Sequence, residues 1–351
     1  MPGDTAPIRE EERFDEDVVS AYLRAALPDL VGNHDLVFDQ FPGGAANLTY
    51  RAVAGDTELV LRRAPLGEVA SGGHDMAREF RVLSRLWRAF HPAPRAYHFC
   101  DDADVMGKPF FVMERRHGHV IRNEWPPGWG DGAAIRRHLG IELTATLAQL
   151  HLVDPAAVDL GDFGRPDGFV ERQVDGWSRR WEVARTRPVP DMETVAQRLH
   201  QQIPAPQAVT ILHNDYKLDN TMVDDRGDVV AVFDWDMSTR GDPLVDLGTF
   251  LAYWADPDSP TFPIFGERAV AVGPYLSHDQ SLEIYAASTG FDVSGIRFYE
   301  GLALFRIAVI IEQIYARYRA GQTSDPRFAF FEPLAPILAA AAREVLEGSV
   351  G

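Results

Sequence analysis

The hydrophobic periodicity of this chain changes once, near residue 115, and that change limits the folds open to it. Before it, apolar residues come in short runs with turn residues between them. Leu36 to Phe41, Leu48 to Ala54 and Thr57 to Arg63 read as strands, with Gly55-Asp56 turning between the last two. Met76, Phe80, Leu83 and Trp87 then recur at helical spacing, and the segment from His91-Pro92 to Pro94 ends that helix. Ala96 to Cys100 and Pro109 to Glu114 supply two more strands. The first 115 residues thus predict a five-stranded antiparallel sheet with one long inserted helix.

After Gly118 the pattern is mostly helical. Ile135, Leu139, Leu143, Leu147 and Leu150 form an apolar stripe, and helices are expected over 169–184, 192–202, 244–254, 296–319 and 333–346. One β interruption breaks the run: Asn220 to Val223, a turn at Asp225-Arg226-Gly227, then Val229 to Phe233. The expected class is α+β, with a flexible acidic tail over 1–14, a small β-rich lobe over 15–115 and a larger, mostly helical lobe over 116–351.

Charge follows the same division. The formal net charge is -18, of which -6 lies in residues 1–115 and -12 in the remainder. An acidic chain lacks the basic stripe a nucleic-acid partner requires. Cys100 is the single cysteine, so neither a disulfide framework nor a cysteine-rich metal site can form. The eleven histidines show no zinc-ligand spacing. The N-terminus, with Glu10-Glu11-Glu12, does not resemble a signal peptide. The most apolar stretch, Leu302 to Ile311, is broken by Arg306 and ended by Glu312, far short of the roughly 18 residues of a membrane span. A soluble, cytoplasmic protein is expected.

The chemistry is concentrated between Ile211 and Asp236. His213-Asn214-Asp215-Tyr216-Lys217-Leu218-Asp219-Asn220 places an aspartate five residues before an asparagine, and Asp234 ends the apolar strand that follows. Kinase-type phosphoryl transfer uses this spacing: the aspartate meets the acceptor hydroxyl, the asparagine reaches a metal on the phosphates, and a second carboxylate holds that metal. Turn-forming Asn and Asp alone would also explain such a loop, but here a hairpin ending in Asp234 follows it and a β-rich lobe precedes it.

These residues resemble the aminoglycoside phosphotransferase and choline kinase group of small-molecule kinases. They are more closely similar to the branch that includes kinase domains fused to acyl-CoA dehydrogenases. Val232-Phe233-Asp234-Trp235-Asp236, Gly241-Asp242-Pro243-Leu244-Val245-Asp246-Leu247-Gly248 and the upstream segment Phe41 to Tyr50 carry the same resemblance, which spans roughly residues 30–255. It implies a bilobal protein kinase-like fold with ATP in the cleft between lobes. It also implies that Asp215 is the catalytic base, that Asn220 and Asp234 ligate Mg²⁺, and that Lys217 meets the transferring phosphoryl group. Asp236 is a weaker metal candidate.

The phosphate-gripping cation of the third strand is Arg62 by this resemblance. Arg63 is the alternative, although strand alternation puts the two on opposite faces. Glu79 is the natural partner of Arg62. Gly43 and Gly44 would let backbone N–H groups approach phosphate, Asn47 would help cap that loop, and Met113 and Glu114 would form the strand whose backbone binds adenine. His213, His151 and Asp246 read as structural, with Asp246 anchoring the catalytic loop.

Two rivals remain. A protein kinase would show His-Arg-Asp, Asp-Phe-Gly and a later Ala-Pro-Glu, none of which stands here. A nucleotide-binding pseudokinase would not need Asp215, Asn220 and Asp234 together. The acceptor is open: the acidic helical lobe suits a polycationic aminoglycoside, whereas the branch resemblance suggests a metabolic hydroxyl compound such as a hydroxyacyl thioester. Trp177 and Trp181 are candidates to line its pocket, and Arg179, Arg180, Arg185 and Arg187 to form a basic patch for a CoA ester.

Overall fold

The computed structural model describes residues 4–42, 47–65, 75–122, 125–126, 128–129, 132–254, 276–323 and 325–348. They form two compact units.

The first unit comprises Met1–His117 together with the short returning segments Val158–Leu160 and Val230–Ser238. Helix α1 (Glu16–Ala26) starts at Asp15, whose carboxylate accepts the Asp17 and Val18 N–H groups. The sheet follows, with β1 (Leu36–Gln40), β2 (Leu48–Ala54), β3 (Thr57–Arg63), β4 (Ala96–Cys100) and β5 (Phe110–Glu114). Their spatial order is β1-β2-β3-β5-β4, and every neighbouring pair is antiparallel. Alternate residues of β2 are buried, as expected for a strand with one face on the core. Tyr50, Leu61 and Val112 lie in register across the three central strands and are fully buried.

Residues expected to form a flexible tail pack onto this sheet. Ala6 pairs with Gln40, Phe14 meets Phe38 and Tyr50 edge-on, and the Glu12 carbonyl accepts from Tyr50 and Arg63. Ile8 and Phe14 supply the apolar surface that the acidic composition of this segment conceals.

Helix α2 (Met76–Leu86) is capped by Asp75 and buries Met76, Glu79, Val82, Leu83 and Leu86. This stripe is rotated from the expected Met76-Phe80-Leu83-Trp87: Glu79, Val82 and Leu86 lie on the buried face, Phe80 is half-buried, and Trp87 sits at the helix cap. A glutamate on the buried face calls for a partner. In the returning segment, Val232 N–H donates to the Pro92 carbonyl at 2.8 Å and the buried Trp235 packs edge-on against Phe90. Asp234 and Asp236 are thereby held in the body of the β-rich unit.

The second unit comprises Gly118–Ala157, Gly161–Val229 and Thr239–Gly351. Among its described residues the helices are α3 (Ala133–His151), α4 (Phe169–Ala184), α5 (Pro190–Gln201), α6 (Leu244–Tyr253), α7 (His278–Thr289), α8 (Ile296–Arg319) and α9 (Leu334–Glu347). Helix α6 buries nearly its whole surface. Gly248 allows it to meet α8 closely, since a Cβ there would stand 2.5 Å from the Tyr299 carbonyl carbon. Strand Thr210–Leu212 pairs with Thr239–Gly241 and leads into the His213 loop. Among the described residues no helix is long and apolar enough to cross a membrane.

Candidate active site

In the helical unit the loop after Thr210–Leu212 is built around one buried carboxylate. Asp246, fully buried on α6, accepts the His213 N–H at 2.6 Å and the Asn214 N–H at 2.7 Å. Its Oδ2 also lies 3.3 Å from His151 Nε2, while His151 Nδ1 is 2.6 Å from the Tyr285 hydroxyl. Two backbone donors and an imidazole satisfy a charge that burial would otherwise make costly. Asn214 takes a left-handed conformation (φ 65°), and His213 Nδ1 accepts the Asp215 N–H at 3.2 Å. These bonds aim the loop. The structural tasks expected for Asp246, His213 and His151 correspond to these contacts.

Asp215, Lys217 and Asn220 converge. Lys217 Nζ lies 2.7 Å from Asp215 Oδ2, and Asn220 Nδ2 donates to that same oxygen and to the Asp215 carbonyl, each at 2.9 Å. Among the described residues, Asp215 Oδ1 receives no hydrogen bond. Burial works against the Lys217 charge, yet Asp215, Tyr253 and Asp219 together hold its pKa above the ordinary lysine value. Its ammonium also stands 5.1 Å from the Tyr253 ring centre.

In the β-rich unit Arg62, Glu79 and Asp234 converge. Arg62 Nε donates to Glu79 Oε2 at 2.8 Å, and Arg62 Nη2 donates to Asp234 Oδ1. The Trp235 N–H donates to the other Glu79 oxygen at 3.4 Å. Burial opposes the Arg62 charge, but Glu79, Asp234 and Asp236 outweigh it and raise its pKa. Glu79 is pushed up to about 7 by burial, with Arg62 opposing and Asp234 and Asp236 adding to the rise. Asp234, like Asn214, has a left-handed backbone (φ 68°), a conformation uncommon for residues other than glycine. Arg63 points elsewhere: buried, it bonds Tyr50, the Met106 carbonyl and the Glu12 carbonyl. It is therefore not an alternative to Arg62.

The remaining candidates are scattered. Gly43 and Gly44 lie outside the described residues. Asn47 is buried just before β2. Met113 is buried on β5, and the Glu114 carboxylate is engaged by the Arg95 N–H at 3.0 Å and by Arg116 at 3.0 Å. Trp181 is core, whereas Trp177 lines a pocket of the helical unit with Gln173, Thr249, Tyr299 and Arg306. Half of the basic cluster expected near 179–187 is engaged by carboxylates. Arg185 pairs with Glu182 and Glu193, and Arg187 with Glu312.

Two residues were not singled out for the site from sequence. Tyr253 ends α6 beneath Lys217. Arg306 sits mid-α8 with its guanidinium 5.5 Å from the Trp177 ring centre and no carboxylate partner among the described residues. Arg180 lies 4.5 Å from the same ring. The available signal for Arg306 was a lone charge inside the most apolar stretch of the sequence, Leu302 to Ile311.

The model of the phosphotransferase enzyme family matches residues 37–273. The chain belongs to that family. As a member it is an enzyme of the small-molecule kinase class. It is 30% identical to mouse acyl-CoA dehydrogenase family member 10 over 92% of its own length, and equally so to chicken acyl-CoA dehydrogenase family member 11. It spans only 30% and 42% of those two proteins. A solved Ralstonia eutropha JMP134 structure, assigned to the aminoglycoside phosphotransferases, is 29% identical with a TM-score of 0.82, covering 96% of this chain and 99% of that one. The type I macrolide 2'-phosphotransferase, at 19% identity and a TM-score of 0.56 over 93% and 96% of the two chains, shares the fold.

Proposed function

We propose that this phosphotransferase transfers the γ-phosphoryl group of ATP to a hydroxyl of a small molecule, with Asp215 as catalytic base. One observation carries the reading: Lys217 and Asn220 both bond Asp215 Oδ2, which leaves Oδ1 to accept a proton. The acceptor hydroxyl would donate to Oδ1 while its oxygen attacks the γ-phosphorus. The bond to the bridging oxygen breaks, ADP leaves, and the hydroxyl proton passes to Asp215 late in the transfer. Lys217, kept protonated by its surroundings, would neutralise charge on the moving phosphoryl group.

The donor chemistry fits Mg²⁺. Asn220 donates through Nδ2, so its amide oxygen remains for a hard cation, and Asp234 and Asp236 add carboxylate oxygens. Bound there, Mg²⁺ would offset phosphate charge. Arg62, braced by Glu79, would grip the α- and β-phosphates. Gly43, Gly44 and Asn47 are assigned to the phosphate loop, and the backbone at Met113 and Glu114 to adenine. On this reading residues 15–115 are the nucleotide-binding lobe, and residues 116–351 carry the catalytic loop and the acceptor.

For the acceptor, Arg306 favours an anion. A guanidinium beside Trp177 with no carboxylate partner among the described residues, in a helical unit that also contains Lys217 over Tyr253, would repel a polycationic aminoglycoside. A carboxylate or phosphate on a hydroxylated metabolite would satisfy it, and a hydroxyacyl thioester of CoA is consistent with the names of the acyl-CoA dehydrogenase relatives. ADP release from ATP and Mg²⁺, measured across cationic, neutral and anionic hydroxyl compounds, tests the proposal. Acceptor-dependent turnover with an anionic compound supports it. Nucleotide binding without any turnover would favour a regulatory pseudokinase.

A further inference from the structure

We infer that His138, Glu142 and Asp228 form a binding site for a first-row divalent cation of the zinc type. All three belong to the helical unit, and none has a role in the phosphoryl transfer proposed above. His138 and Glu142 are four residues apart on α3 and so share a face of that helix. Asp228 comes from the turn that precedes strand Val229–Val232. Its Oδ1 stands 2.6 Å from His138 Nε2, and one ligand atom from each of the three residues lies within 4.8 Å of the others. Tetrahedral zinc bonds of about 2.0–2.2 Å to imidazole and carboxylate put the ligand atoms roughly 3.3–3.6 Å apart, so side-chain shifts of up to about an ångström, closing the widest pair and opening the His138–Asp228 pair, would seat the ion.

The turn is prepared to hold Asp228 there. Asp224 Oδ1 accepts the Arg226 N–H at 2.8 Å and the Asp228 N–H at 3.0 Å, and the Asp224 N–H donates to the Asp228 carbonyl at 3.0 Å. Gly227, at φ +88°, brings the turn against α3, since a Cβ there would lie 3.4 Å from His138 and Ile135. The local charge is unbalanced. Burial raises the Glu142 pKa, only His138 opposes this, and Asp228 and Asp224 raise it further. Among the described residues, the charges acting on Glu142 are thus two further carboxylates and one imidazole.

An imidazole with two carboxylates suits zinc, cobalt or nickel better than magnesium or calcium, which favour all-oxygen sets. Chain spacing hides the site, because the third ligand comes from a distant turn. The bound ion would fasten that turn to α3. His138 and Asp228 are both partly exposed, so an ion can enter from solvent.

Equilibrium dialysis of the metal-free full chain against zinc, with the visible spectrum of the cobalt complex as a second readout, tests the inference. One equivalent is expected to bind, with cobalt bands typical of mixed nitrogen and oxygen ligation. His138→Ala and Glu142→Gln should each weaken binding at least about tenfold and remove those bands, whereas Asp234→Asn should keep them. Circular dichroism checks that each variant is folded. Failure of the wild-type chain to bind zinc in the micromolar range, or binding that folded H138A and E142Q leave intact, overturns the site.

Discussion

Lys217 Nζ lies 2.7 Å from Asp215 Oδ2, and Asn220 reaches that same oxygen. The lysine therefore helps to fix which oxygen of Asp215 faces the acceptor, besides placing a positive charge beside it. Lys217→Ala should lower kcat on the order of a hundredfold, in line with the loss of one charge-stabilising group. The KM for ATP should change much less. Steady-state ADP release measured with varied ATP separates the two parameters. An unchanged kcat would reduce Lys217 to a surface cation.

Glu79 gives the β-rich unit a pH dependence whose sign can be worked out. Burial raises its pKa from 4.5 to about 7 in the folded protein, with Arg62 partly opposing the rise. Between those values the folded protein retains a proton that the unfolded chain has released. The contribution of Glu79 to stability is fully present below pH 4.5 and falls as the pH rises to about 7. Glu79→Gln cannot titrate. Urea unfolding across that window should show wild-type stability declining relative to E79Q as pH increases. A gap that stays constant with pH would contradict this account.

Arg306 distinguishes classes of acceptor. Its guanidinium has an aromatic neighbour in Trp177 and no acidic partner among the described residues. Arg306→Ala should raise the KM for an anionic acceptor about ten- to a hundredfold, the worth of a charge-assisted hydrogen bond. The KM for ATP should be unaffected. Better turnover of cationic acceptors by the wild-type chain than by R306A would argue for the opposite specificity.

Much of the architecture was legible because it is written in simple periods. The sheet strands alternate and are separated by turn residues, so β2 and β3 match their expected bounds. The long helices α4 and α8 also match, because their apolar stripes run end to end. Helix α7 was missed: it buries only Ser281 and Tyr285, too little to form a stripe. Its signals were local, a capping box at Ser277 and Gln280 and a left-handed Gly290 at its end. Residues 4–14 were read as free because their charges outnumber the few apolar residues that pack.

The candidate site was legible where chemistry fixes spacing. Asp215 and Asn220 lie on one loop, and their separation along the chain carries the signal. The pairing of Arg62 with Glu79 was expected from the family resemblance, and the burial of Glu79 on α2 supplies the physical reason it needs a partner. Trp177 and Trp181 could not be told apart, since residues four apart share a helix face and only tertiary packing decides which one reaches the pocket. Arg306 was visible only as an interruption of an apolar run. Tyr299 lies two turns earlier on the same helix, but Trp177 comes from the distant helix α4, and no local pattern joins it to Arg306.

The most direct test of the central claim replaces Asp215 by Asn and measures single-turnover phosphoryl transfer to the best acceptor at saturating ATP and Mg²⁺. The substitution keeps the shape and the contact with Lys217 but removes the base. The account predicts a fall in rate of about 10²–10⁴-fold, with ATP affinity and folded stability close to those of the wild-type chain. Transfer at an undiminished rate by folded D215N would contradict it.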